Sequence, residues 1–147
     1  MYRVVKTLGL ALALGLPAHA WAGETVNVPV GTKWFACRFH RAAHDHLLPE
    51  KVQMAHLPNG KWLALDTMTY RIHHTADHAR VTTNDPKRIT FGWKFTNMTS
   101  NINHFAPLIA VRLTLVKGSR DATLSMRPEG YRTEIAFGSC DTPQVIH

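Results

Sequence analysis

The chain is poor in features that advertise an activity. It has two cysteines in 147 residues, Cys37 and Cys140. Neither lies in a C-x-x-C pair, which speaks against thiol redox chemistry and cysteine-based metal sites. There is no G-x-S-x-G elbow, no glycine-rich phosphate loop and no dinucleotide fingerprint. Acidic residues are scarce, ten against 17 Lys and Arg. The few carboxylates sit mostly at turns or strand ends, and no pair suggests glycoside hydrolysis. Beyond the first two dozen residues no apolar run is long enough to span a bilayer as a helix, which takes about 20 residues.

The N-terminus is the most informative segment. Arg3 and Lys6 are followed by the apolar run Thr7–Leu16, and Pro17 ends it. Two small-x-small sites follow, Ala18-His19-Ala20 and Ala20-Trp21-Ala22. This is the pattern of a secretory signal peptide over residues 1–22. The expected mature protein is a single domain, residues 23–147, periplasmic or secreted, with no transmembrane segment. In an oxidising compartment the cysteine pair is expected to form one disulfide. Loss of Arg3 and Lys6 leaves 15 basic and ten acidic residues, a net charge of +5. Such a balance favours an anionic protein or envelope polymer as partner. Nucleic acid is disfavoured by export and by the scatter of the cations, of which only Lys87 and Arg88 are adjacent.

The mature part reads as strands. Phe35, Cys37 and Phe39 alternate with Trp34, Ala36 and Arg38, so Cys37 is expected to face a core. Leu57-Pro58-Asn59-Gly60 separates Val52–His56 from Lys61–Thr67 and predicts a hairpin. Tyr70–His74 reads as a further strand or a continuation, and Arg80–Thr83 is β-prone before the turn Asn84-Asp85-Pro86. Alternation is clearest in Ile89–Thr96, Ile109–Val116, Ala122–Arg127 and Tyr131–Gly138. In the last of these, Tyr131, Thr133, Ile135 and Phe137 fall on one face. Arg41–Leu48 is the one expected short helix, and Asn97–Phe105 reads as a loop. The prediction is an all-β fold, a small antiparallel barrel or sandwich with a C-terminal meander and one disulfide.

Histidine is the outlier in composition. His40, His44 and His46 form one cluster, and His73, His74 and His78 a second. His40/His44 and His74/His78 have spacing that can share a metal on a helix, which makes zinc or copper the candidate cofactors. Solvated loop histidines are the plainer alternative, since no H-E-x-x-H motif is present. Trp93 is in register with Phe91 and Phe95 and is assigned to the core. Trp34 and Trp62 are candidate partner-binding aromatics. Lys94, Arg112, Arg127 and Arg132 fall on the polar faces of the meander, and Arg112 and Arg132 are the chief candidates for binding an anion.

The close Phe137-Gly138-Ser139-Cys140, together with Trp34–Cys37 and the meander between, resembles the layout of the C-type lysozyme inhibitors of bacterial envelopes. Uncharacterised proteobacterial families share it. These are exported β proteins with one cysteine early in the first core strand and one just past the last strand. The resemblance implies the fold. It does not extend to the inhibitors' functional loop residues, and a basic chain is a poor electrostatic match for a basic lysozyme. The expected role is therefore a non-catalytic, exported binding module for an anionic envelope or host component. The alternative is a periplasmic metal-binding protein using the histidine clusters, and an enzyme ranks third.

Overall fold

The computed structural model describes residues 28–40, 47–99 and 105–147. The expected signal peptide and the expected helix over Arg41–Leu48 lie wholly or mostly outside these residues. Nine strands follow in chain order: β1 (Lys33–His40), β2 (Lys51–His56), β3 (Trp62–Asp66), β4 (Asp77–Asn84), β5 (Arg88–Thr99), β6 (Phe105–Val116), β7 (Asp121–Pro128), β8 (Glu134–Cys140) and β9 (Gln144–Val145). Among the described residues a single helix, α1 (Thr67–His73), stands between β3 and β4.

Each of β1 to β8 pairs antiparallel with its chain neighbour. β1 pairs with β8 as well as β2, so the sheet closes into an up-and-down barrel of eight strands. Closure removes the free edges that an open sheet would expose. β9 is a short extra strand beside the start of β1, where Lys33 and Trp34 face Val145 and Gln144. The barrel form of the fold expectation is thus the one found, and the sandwich form is not.

The interior is a packed core. Phe91, Phe95, Met54, Leu113, Leu124 and Met126 are fully buried. Each such side chain contributes about 1.5–3 kcal/mol relative to exposure. Alternation is the reason: residues at period two along each strand point to one side of the wall, and the apolar set points in. Turn chemistry spaces the strands. Gly60 and Gly118 adopt positive φ, +84° and +83°, in the β2–β3 and β6–β7 connections. Asp85 caps the β4–β5 turn by accepting from the backbone N–H groups of Lys87 and Arg88 at 2.8 and 2.9 Å. Those two bonds hold its carboxyl below the usual carboxylate range.

Three local expectations are corrected. Tyr70–His74 is not a strand: it belongs to α1 and its C-cap. Asp66 makes the difference, because its side chain accepts from the N–H groups of Met68 (2.7 Å) and Thr69 (2.9 Å), satisfying helix donors that would otherwise be open. The loop expected over Asn97–Phe105 is shorter, since β5 continues to Thr99 and β6 begins at Phe105.

The third correction concerns β8. The strand begins at Glu134, so Tyr131–Thr133 belong to its preceding turn. Its facing is also opposite to that suggested by the Tyr131/Ile135/Phe137 alternation. Cys37 lies on the inner face of β1, directly opposite Cys140, and the two are bonded. The bridge forces Cys140 inward, and period two then carries Gly138 and Ala136 inward with it. Ile135 and Phe137 are left outside, 51 % and 69 % exposed. Glycine is required at 138, because a Cβ there would collide with the backbone carbonyl of Arg38.

Candidate anion-binding face

The strand register decides how the outward cations are grouped. Arg80 on β4 faces Gly92 on β5, Gly92 faces Arg112 on β6, and Arg112 faces Ser125 on β7. Two residues along the same faces, Lys94 on β5 faces Ala110 on β6, and Ala110 faces Arg127 on β7. Two neighbouring rows thus each hold two cations with a small residue between them. Adjacent strands are about 4.8 Å apart, so each pair flanks its Gly92 or Ala110 across roughly 10 Å. The diagonal pairs, Arg112 with Lys94 and Arg112 with Arg127, are closer, about 7–8 Å apart.

All four cations are exposed. Among the described residues none of the four has an ion-pair or hydrogen-bond partner for its side chain. Several cations elsewhere on the barrel are paired. Arg38 and Arg120 share Asp141 at 3.2 and 3.4 Å. Arg88 reaches Asp85 at 3.3 Å, and Lys117 donates to Asn84 at 2.6 Å. Like charges set beside one another on a sheet destabilise it. An anion spanning Gly92 and Ala110 would relieve that repulsion and find guanidinium forks on both sides.

This face contains part of the expected set. Arg112 is at its centre. Arg132 is not on a strand; it lies in the turn between β7 and β8 and joins neither row. Arg80 was missed, because only the register reveals its place beside Gly92. Trp34 is half-buried on the outer face of β1, four strands round the barrel from β5. Trp62 points inward and is part of the core packing, stacked on His56 with centroids 4.3 Å apart and 4.6 Å from Phe91. Trp93, 5 % exposed, is in the core as expected.

The histidine clusters share one end of the barrel, where β1 finishes and β4 begins. His44 and His46 lie outside the described residues. His40 is exposed on the outer face of β1, opposite Phe137 of β8. His74 caps α1 in a left-handed conformation (φ 55°), its N–H donating to the Tyr70 carbonyl at 3.0 Å. His78 faces Leu63 across β3 and β4 and is exposed. The histidine with a carboxylate partner is instead His73, whose Nδ1 is 2.6 Å from Asp77 Oδ1. Among the described residues no three His, Cys, Asp or Glu side chains are grouped to hold zinc or copper.

One buried group near that end is structural. Asp66 is 1 % exposed and caps α1. Burial pushes its carboxyl up, the hydrogen bonds from Thr69 and Met68 act the other way, and the charge of Asp77 adds a smaller push up. At the opposite end, a recess of about 280 Å³ is lined by Phe35, Ile89, Leu115 and Cys140, with Arg120 and Asp141 at its mouth. Those two charges pair with each other, and Lys117, also on the lining, donates to Asn84.

No family model, curated protein or solved structure matches the chain. No described helix is long and apolar enough to cross a membrane. The polarity of the barrel is also the reverse of that of a membrane-spanning β-barrel, whose outer band is apolar.

Proposed function

We propose that this is an exported, non-catalytic binding module, periplasmic or secreted, whose partner is an anionic component of the envelope or of a host. The observation that carries the reading is the pair of cation rows, Arg80–Gly92–Arg112 and Lys94–Ala110–Arg127, which lack carboxylate partners among the described residues. The Cys37–Cys140 bridge supports an oxidising compartment. The rows run over strands, which hold their side chains at fixed spacing, so the face is organised before the partner arrives. Binding of this kind is electrostatic in origin and is screened beyond about 8 Å at physiological salt.

Sedimentation of the purified, disulfide-bonded protein with an envelope preparation tests the proposal. The bound fraction is expected to fall steeply with added salt, and to fall further in the Lys94→Glu/Arg112→Glu variant at constant salt. Binding indifferent to both would remove the cation rows from the mechanism.

A further inference from the structure

The cation rows do not end at β7. Arg112 faces Ser125, and Ser125 faces Ile135 on β8. In the next row Thr114 faces Thr123, and Thr123 faces Phe137. Two exposed apolar side chains therefore continue the same surface, separated from Arg112 only by the short side chains of Ser125 and Thr123. Phe137 has Thr123 on one side and His40 on the other, and among the described side chains it is the most exposed aromatic on the barrel strands, at 69 %. Single exposed apolar residues are ordinary. Here two are adjacent on one strand, turned outward by the disulfide, and contiguous with unpaired cations.

Resting on the function proposed above, we infer that the anionic partner is a lipid bilayer surface, met by the face centred on β7. Eight strands close the circle, so each turns the wall by about 45° and β6 to β8 span roughly a right angle. Within that arc lie Arg112, Arg127, Ile135 and Phe137, with Lys94 at its margin on β5. Arg112, Arg127 and Lys94 reach the lipid phosphates, while Phe137 and Ile135 enter the layer just beneath them. Phe and other apolar side chains of membrane-surface binders settle at the headgroup–acyl boundary, and basic side chains near an anionic leaflet add to the attraction. A hydrophilic polyanion would engage the cations and leave Phe137 and Ile135 in water. The juxtaposition of charge with exposed apolar surface is what favours the bilayer.

The test is co-sedimentation of the disulfide-bonded protein with vesicles of mixed phosphatidylglycerol and phosphatidylcholine, with pure phosphatidylcholine vesicles and soluble dextran sulfate as parallel arms. Mixed vesicles are expected to bind at least tenfold more tightly than pure phosphatidylcholine. Arg112→Ala is expected to lower vesicle affinity about fivefold, the worth of one cation near such a surface. Phe137→Ser/Ile135→Ser is expected to lower it severalfold with dextran sulfate binding unchanged, and Phe137→Leu to retain vesicle binding. Unchanged far-UV circular dichroism and absence of free thiol show that each variant is folded. Equal binding to the two kinds of vesicle overturns the inference, as does full vesicle binding by the serine variant. If dextran sulfate binds while mixed vesicles do not, the bilayer is wrong and the anion-binding module stands. If neither binds, both readings fall.

Discussion

Cys37 and Cys140 stand directly opposite each other on β1 and β8, and their bond sets which face of β8 looks outward. The same bond joins the first barrel strand to the last across 103 residues of sequence. In the chain-entropy model, closing a loop of that length in the unfolded chain is worth about 4–5 kcal/mol. Cys37→Ser/Cys140→Ser is therefore expected to lose several kcal/mol in denaturant unfolding. A loss below about 1 kcal/mol would mean that strand pairing alone closes the barrel.

Gly138 lies two residues before Cys140 and pairs with Phe39 of β1. A Cβ at this position would meet the carbonyl oxygen and carbon of Arg38 and the Cα of Phe39, all backbone atoms that cannot rotate away. Gly138→Ala is expected to cost at least the 1–3 kcal/mol typical of overpacking, or about that range and above. Gly118→Ala is the informative comparison, since that position is open and only its positive φ opposes a side chain. A thermal melt showing Gly138→Ala no worse than Gly118→Ala would contradict the close approach.

Asp66 yields a prediction with a definite sign in pH. Burial raises its folded-state pKa, so the native state holds this proton more tightly than the unfolded chain does. Its favourable contribution is complete below the unfolded pKa and is lost as pH rises through the folded pKa. Near neutral pH the buried charge is therefore a cost, offset by the cap it provides. Asp66→Asn keeps a cap and removes the charge. It is expected to match or exceed the wild type in stability near neutral pH, with the difference shrinking toward about pH 4. Asp66→Ala loses the cap and is expected to cost about 0.5–2 kcal/mol. Urea unfolding at both pH values checks this, and an Asn variant as unstable as the Ala variant near neutrality would contradict it.

The cation rows predict a gain in stability when their repulsion is removed. Arg112 has Lys94 and Arg127 as diagonal neighbours, and none of the three has a carboxylate partner among the described residues. Arg112→Thr suits a strand and ends both contacts. It is expected to leave stability unchanged or raise it by up to about 1 kcal/mol at low salt, with the gain fading as salt rises. Loss of stability beyond about 1 kcal/mol would show that Arg112 is part of the barrel's structure and not a side chain held for a partner.

Much of the fold was legible from alternation and turns. The Leu57–Gly60 hairpin, the strands through Ile89–Thr96 and Ile109–Val116, and the inward placement of Cys37 and Trp93 all follow from side-chain period and turn chemistry. Helix α1 was not legible, because Thr-Met-Thr-Tyr-Arg-Ile-His is rich in β-branched and aromatic residues and is held helical by the Asp66 cap. The facing of β8 misled for a different reason. Its apolar residues fall on the odd positions, while the disulfide commits the even ones to the interior. Grouping Lys94, Arg112 and Arg127 on polar faces was possible from the sequence, but adding Arg80 and removing Arg132 required the register. Period two says which way a side chain points and nothing about its neighbour on the next strand.

The central claim is the location of binding, and amide chemical-shift mapping tests it most directly. Titration of isotope-labelled, disulfide-bonded protein with dextran sulfate is expected to shift the amides of Arg80, Gly92, Lys94, Ala110, Arg112 and Arg127 together, with the disulfide end around Phe35, Cys140 and Asp141 unchanged. Shifts concentrated at the disulfide end or at His40, His74 and His78, with the six row positions still, would contradict the account.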